Sequence, residues 1–385
     1  MGTLVIRNGM VHDGLGKAEK KDVLVQNGKI AAIGTGFSSD EVIEAEGKHV
    51  LPGFIDPLSH WGVNGNGTEI RSMGDDNDEV SAPIYPELNA VYAVNGRAMS
   101  LQQLFAFGIT TVGVSPSNKT LFGGTVCAFE TNGVNPYRMV VKENAAMKAS
   151  VSKSVKTTFK DKGGPQTDMR IFAMLAEQLR LASEYDPNAE NTKRDEKMLA
   201  LKRLLNHELP LIVTVDTATD MHHIEKITAP YSLDVIYVNT NDVHPDDQFL
   251  VEKNRALIVP WSECDADPST YGTDYQAISD MADKGLIVAL ATGADGWEGR
   301  EDLLWNAADM MKAAKNPEKV LKMMTSNPAK ILGIADRKGS IAVGLDADLV
   351  IWSADPLETF QAEVEETLIR GTTVFRKGDA MRCYL

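Results

Sequence analysis

The chain has 385 residues, 43% hydrophobic and 24% charged, with a formal net charge of -15. That size holds one large domain plus a small one, or two medium ones. The acidic excess argues against nucleic acid or an anionic membrane as a partner, since both need a basic face.

The first fifty residues read as short strands with turn punctuation. "LVIRNG" (4–9), "DVLVQNGKIAAIG" (22–34) and "EVIEAEGKHVL" (41–51) alternate apolar and polar residues, and Asn-Gly at 8–9 and 27–28 signals hairpins. Such a sheet is too thin to enclose a full core alone. No basic segment leads into an apolar core here, and no apolar run of membrane-spanning length occurs anywhere. The three cysteines, Cys127, Cys264 and Cys383, are too sparse for a disulfide framework and form no CxxC pair. Together these features lead us to expect a cytoplasmic protein.

From residue 51 the rhythm changes to apolar runs alternating with amphipathic stretches. The runs are "VLPGFID" (50–56), "GITTVGVS" (108–115), "TVCAFETNG" (125–133), "ELPLIVTVD" (208–216), "LDVIYVNT" (233–240), "ALIVPWS" (256–262) and "GLIVALATG" (285–293). Helices are expected over 169–182, 197–206, 273–284, 300–314 and 316–324. Val- and Ile-rich runs between amphipathic helices point to parallel β/α units. The rival, an open doubly wound sheet, usually carries a Gly-rich phosphate loop, and no GxGxxG or GxxxxGK[ST] is present. "KDKGGPQTD" (160–168) and "SEYDPNAENTKRDE" (183–196) read as polar loops. After about residue 338 the short-strand rhythm returns. We therefore expect an α/β chain: a distorted TIM (β/α)8 barrel over 52–337, plus a small β-sandwich domain formed from both chain ends, 1–51 and 338–385.

Several phrases carry a resemblance: "PGFID" (52–56), "TSNPAKILGI" (325–334), "KGSIAVGLDADLVIWSADP" (338–356) and "IRGTTVFRKG" (369–378). Together they resemble the amidohydrolase superfamily, in particular its imidazolonepropionase-like and prolidase-like branch. The resemblance implies one or two divalent metals at the C-terminal mouth of the barrel, where a bound water is ionised. It also implies hydrolysis of a C–N bond in a cyclic amide or dipeptide-like substrate. A His-x-His pair after the first strand, one His after each of the fifth and sixth, and an Asp after the eighth usually hold the metal. Two-metal members usually add a carboxylated lysine or a glutamate, and relatives are often homo-oligomers.

In this chain the His-x-His slots fall on Leu58 and His60, so only the second is an imidazole. The strand-five slot falls on Thr214, the strand-six slot on Asn239 and the strand-eight slot on Gly293, with Asp295 two residues later. The bridging slot falls on Glu130 or near Lys142. Threonine and asparagine are weak neutral donors for zinc, and catalytic zinc sites usually keep three protein ligands. One reading follows: a degenerate amidohydrolase that lacks zinc-dependent hydrolysis and binds a small molecule. The alternative is an active enzyme with a rearranged ligand set. His60 with Glu130, Asp216 and Asp295 would be oxygen-rich, better suited to Mg, Mn or Ca than to zinc. No cofactor is firmly expected beyond a single divalent metal (Zn, Mn or Mg) at low occupancy. Asp216 and Asp295 are then the candidate catalytic groups. The plainer account places these acids on solvated loops or against Lys and Arg.

Candidate ligand contacts are His60, Thr214, Asn239, His244, Trp61 and Trp261, all near the expected mouth. His222 and His223 are adjacent and face different ways on a helix. His12, His49 and His207 are expected in structural roles, because none ends a barrel strand. "GDDNDE" (74–79) lacks EF-hand order and reads as a solvated loop, and Cys264 has no evident partner base.

Overall fold

A computed structural model describes residues 2–14, 16, 18–63, 76–239, 242–244, 247–261, 273–293 and 299–378. The chain opens with β1 (Thr3–Val11), β2 (Glu19–Gln26), β3 (Lys29–Gly34), β4 (Glu41–Glu44) and β5 (His49–Pro52). It continues through β6 (Phe54–Ser59), β7 (Ile109–Val114), β8 (Phe122–Glu130), β9 (Val140–Ser150), β10 (Leu211–Thr214), β11 (Val235–Val238), β12 (Ala256–Pro260) and β13 (Ile287–Ala291). It closes with β14 (Leu349–Trp352), β15 (Val364–Ile369) and β16 (Thr372–Arg376).

Both ends of the chain enter one eight-stranded sheet, ordered β16-β15-β14-β5-β1-β2-β3, with β4 also paired to β1. Its own core gathers Leu4, Ile6, Val23, Val25, Val50, Leu349, Ile351 and Leu368. The seam between the ends is antiparallel, running from Leu349 opposite Pro52 to Trp352 opposite His49.

The chain passes from this sheet to the barrel at Gly53. A Cβ on Gly53 would lie 2.1 Å from Thr110 Oγ1, so the close approach of β7 demands glycine. The expected strand over 50–56 is therefore two strands, β5 in the sheet of the chain ends and β6 in the barrel.

β6 to β13 form a second eight-stranded sheet that nearly closes on itself. β8 runs antiparallel to both β7 and β9, and the other neighbouring pairs are parallel. This is the distorted barrel that the sequence leads one to expect. The interior is filled by Ile55, Ile212, Ile236, Val238 and Ile258 with the small side chains of Ala128, Ala145, Ala289 and Ala291. The alternate residues Leu211, Val213, Val235, Tyr237, Leu257 and Val288 face outward and pack with the helices. Each such aliphatic side chain contributes about 1.5–3 kcal/mol on burial, which is why these strands are apolar on both faces.

Helices Asp168–Glu184, Glu196–Leu205, Tyr275–Asp283, Asp302–Ala314 and Pro317–Met324 lie where the periodicity puts them. The helix Ala218–Thr228 adds to them, opened by a capping box of Thr217 and Asp220. Among the described residues no helix is long and apolar enough to cross a membrane.

Candidate functional site at the barrel mouth

β6 sets the start of the mouth. Asp56 is fully buried, and its carboxylate accepts from Thr292 Oγ1 at 2.7 Å, Thr292 N at 3.3 Å and Trp61 Nε1 at 3.2 Å. Thr292 follows β13, so these bonds tie the first barrel strand to the last. Burial pushes the Asp56 pKa up to about 6, against the pull of those donors. Leu58 packs against the apolar interior of the barrel, and His60 follows it half-buried. Hydrocarbon thus occupies the position expected for the first imidazole.

Across the mouth stands Lys148, near the end of β9 and opposite Ile212 in register. It is buried, and its Nζ donates to Asn118 Oδ1 at 2.8 Å, Ala149 O at 2.9 Å and Thr214 Oγ1 at 2.9 Å. Thr214 Oγ1 in turn donates to Asn118 Oδ1 at 2.8 Å. Burial drops the Lys148 pKa to about 7. Lys148 is therefore the ionisable group that meets the strand-five slot. The sequence reading missed it, although a single lysine among small residues in "AAMKAS" (145–150) is a signal that could have been weighed.

The two residues named for the bridging slot lie elsewhere. β8 is antiparallel, so Glu130 pairs with Thr111 in register, far down the barrel from the Phe122 end that meets Ala149. Its carboxylate accepts from Lys338 Nζ at 3.0 Å and pairs with Arg370 at 2.7 Å. Lys142 sits near the start of β9 and donates to Gly333 O at 3.4 Å.

Asn239 is buried just past β11, its amide oxygen accepting from Asp242 N at 3.3 Å. His244 is exposed, and its Nε2 lies 2.7 Å from Asp242 Oδ1. Asp216 is half-buried and caps the helix Lys153–Phe159 by accepting from Lys153 N at 2.5 Å. Desolvation raises its pKa, partly offset by that backbone bond. Trp61 is buried in the core between barrel and helices, while Trp261 is half-buried beside β13. Gly293 has φ of 71°, and a Cβ there would lie 2.2 Å from Trp261 O. A side-chain ligand is sterically barred from that slot. His222 and His223 are exposed and lie against different rings, His222 tilted over Phe249 and His223 edge-on to Phe172. Asp295, Cys264, Cys383 and residues 74–75 lie outside the described residues; of the rest of the acidic run, Asp78 pairs with Lys119 and Glu79 accepts from Ser81.

Among the described residues, leucine, threonine, asparagine and glycine stand at the four positions expected for ligands, none of them a good donor to zinc, and the nearby Lys148 ammonium has three acceptors within hydrogen-bond distance. Among the described residues no group of three His, Cys, Asp or Glu side chains converges at the mouth.

The amidohydrolase family profile matches residues 237–378. A 5'-deoxyadenosine deaminase of Methanobrevibacter smithii is 24% identical over 91% of this chain and 83% of its own length. An imidazolonepropionase of Thermoplasma acidophilum is 33% identical over 26% of each chain. An amidohydrolase from Thermotoga maritima MSB8, known from its crystal structure, superposes with a TM-score of 0.88 at 25% identity, covering 97% of this chain and all of that one. Barrel, end-sheet and these likenesses agree: residues 237–378 match the amidohydrolase family, and the whole chain has the fold of the Thermotoga maritima amidohydrolase.

Proposed function

We propose that this chain uses the barrel mouth to bind a small polar molecule of the cyclic-amide or dipeptide-like class, without zinc-dependent hydrolysis. The observation that carries the reading is the Lys148–Asn118–Thr214 network. A buried lysine whose ammonium form donates to three acceptors stands where the reaction would need electron-pair donors for a metal. Hydrolysis in this superfamily needs a Lewis acid strong enough to bring the pKa of bound water to about 7, and hydroxyl and amide oxygens hold such an ion weakly. His60 and Asn239 remain as groups that can contact a ligand carbonyl or carboxylate.

The second reading, a hydrolase built on His60 with Glu130, Asp216 and Asp295, has less support. Glu130 is committed to Lys338 and Arg370, and Asp216 to the helix Lys153–Phe159. The test supplies the full chain with Zn, Mn or Mg and a panel of dihydroorotate, an imidazolone and 5'-deoxyadenosine. We expect ligand-induced thermal shifts without turnover. Metal-stimulated turnover that disappears in His60→Ala would establish the second reading instead.

A further inference from the structure

We propose that His12, His49 and Asp355 form a binding site for a divalent transition cation of the zinc class, apart from the barrel mouth. The three residues come from separate segments that the end-sheet brings together. His12 follows β1, His49 opens β5 and Asp355 follows β14. Met10 pairs with His49 in register, and Trp352 pairs with His49 from the other side. The donor atoms of all three lie within 4.8 Å of one another. His12 Nε2 is 2.9 Å from His49 Nδ1 and 3.9 Å from Asp355 Oδ2.

Bonds of about 2.0–2.2 Å put the donors around a tetrahedral zinc roughly 3.3–3.5 Å apart. The two separations from His12 Nε2 bracket that value, and all three donors lie close enough, within 4.8 Å, for side-chain adjustment to gather them around one ion. Two imidazoles and one carboxylate are the donor types of open zinc sites and of other divalent transition ions, not of Mg or Ca.

The surroundings orient the set. His12 Nδ1 lies 3.3 Å from Glu318 Oε1. A proton held on Nδ1 by that carboxylate leaves Nε2 with its lone pair aimed at His49 and Asp355. This is the outer carboxylate that metal-bound histidines generally have. His12 and Asp355 are buried, whereas His49 is half-buried and gives an entry path. Without a cation, one of the two facing nitrogens must carry a proton to hold the 2.9 Å contact. With one, His49 keeps its single proton on Nε2 and presents Nδ1 to the metal. Glu318 belongs to the helix Pro317–Met324, so the ion would clamp the end-sheet to a barrel helix.

The test strips the full chain with a chelator and titrates it with Co2+, then displaces the cobalt with Zn2+. We expect one equivalent to bind, with visible ligand-field bands that zinc bleaches. Affinity falls at least tenfold in His49→Ala and in Asp355→Asn and is unchanged in His60→Ala. Zinc raises the unfolding temperature of the wild type and of His60→Ala alike. X-ray absorption on the zinc-loaded wild type, which needs no variant to fold, reports two imidazoles around the ion. The proposal is overturned by a wild type with neither bands nor a zinc-dependent thermal shift, by a shell with fewer than two imidazoles, or by binding lost in His60→Ala and kept in His49→Ala. Cation binding here is indifferent to turnover at the mouth, so its failure leaves the reading of the mouth standing.

Discussion

Lys148 carries more of this account than any other side chain, and its titration is open to measurement. In the unfolded chain it keeps its proton up to about pH 10.5, and in the folded chain only up to about 7. Between those values the unfolded state binds more protons, so stability rises with pH across that window. Below pH 7 both states hold the proton and the cost of burying it is fully felt. We predict that the wild type gains stability from pH 7 to 10.5 with a slope approaching about 1.4 kcal/mol per pH unit. Lys148→Met should be more stable at neutral pH and lack that slope. Urea unfolding of both proteins across the window checks it, and parallel curves would contradict it. The positions expected for the ligand slots, Leu58, Thr214, Asn239 and Gly293, can be read off motif spacing. Lys148 cannot, because it meets Thr214 only through the pairing of β9 with β10. The convergence of His12 with His49 is likewise invisible along the chain, since it depends on two strands lying side by side.

Among the elements, β8 departs most from a regular β/α alternation. Its reversed direction carries Glu130 down to the end-sheet, where Lys338 is buried against Glu130 at 3.0 Å and against Asp348. Burial works against the Lys338 ammonium, but the carboxylates of Asp348 and Glu130 outweigh it and lift its pKa. Burial also raises the pKa of Glu130, against the pull of Lys338. Removing one partner of such a pair strands a buried charge, at a cost of about 3–5 kcal/mol. We predict that Lys338→Ala destabilises by that order in denaturant unfolding, whereas a change below about 1 kcal/mol would show the pair to be solvated. The strands β7 and β10 to β13 were legible as Val- and Ile-rich runs. β9, "VVKENAAMKAS", was missed because its first half is polar and its second half is mostly alanine. The helix Ala218–Thr228 was read only at His222 and His223 and given no bounds, because it offers few large apolar residues, Met221 and Ile224 chief among them.

At the scale of the whole molecule, fold and chemistry rest on different residues. The barrel and end-sheet match a known amidohydrolase almost throughout. Both chain ends meet in one sheet, and the core is continuous from barrel to helices. These depend on apolar patterning, which the sequence displays plainly. The metal chemistry depends on a few donors, and those can change without disturbing the packing. Asp56 illustrates the difference, because it keeps its place in the motif and serves to close the barrel through Thr292.

The measurement that bears most directly on the central claim is a zinc-edge anomalous difference map from crystals of the chain soaked in zinc. The account predicts density between His12, His49 and Asp355 and none within bonding reach of His60 or Lys148. A well-occupied zinc held by His60 at the barrel mouth would contradict it.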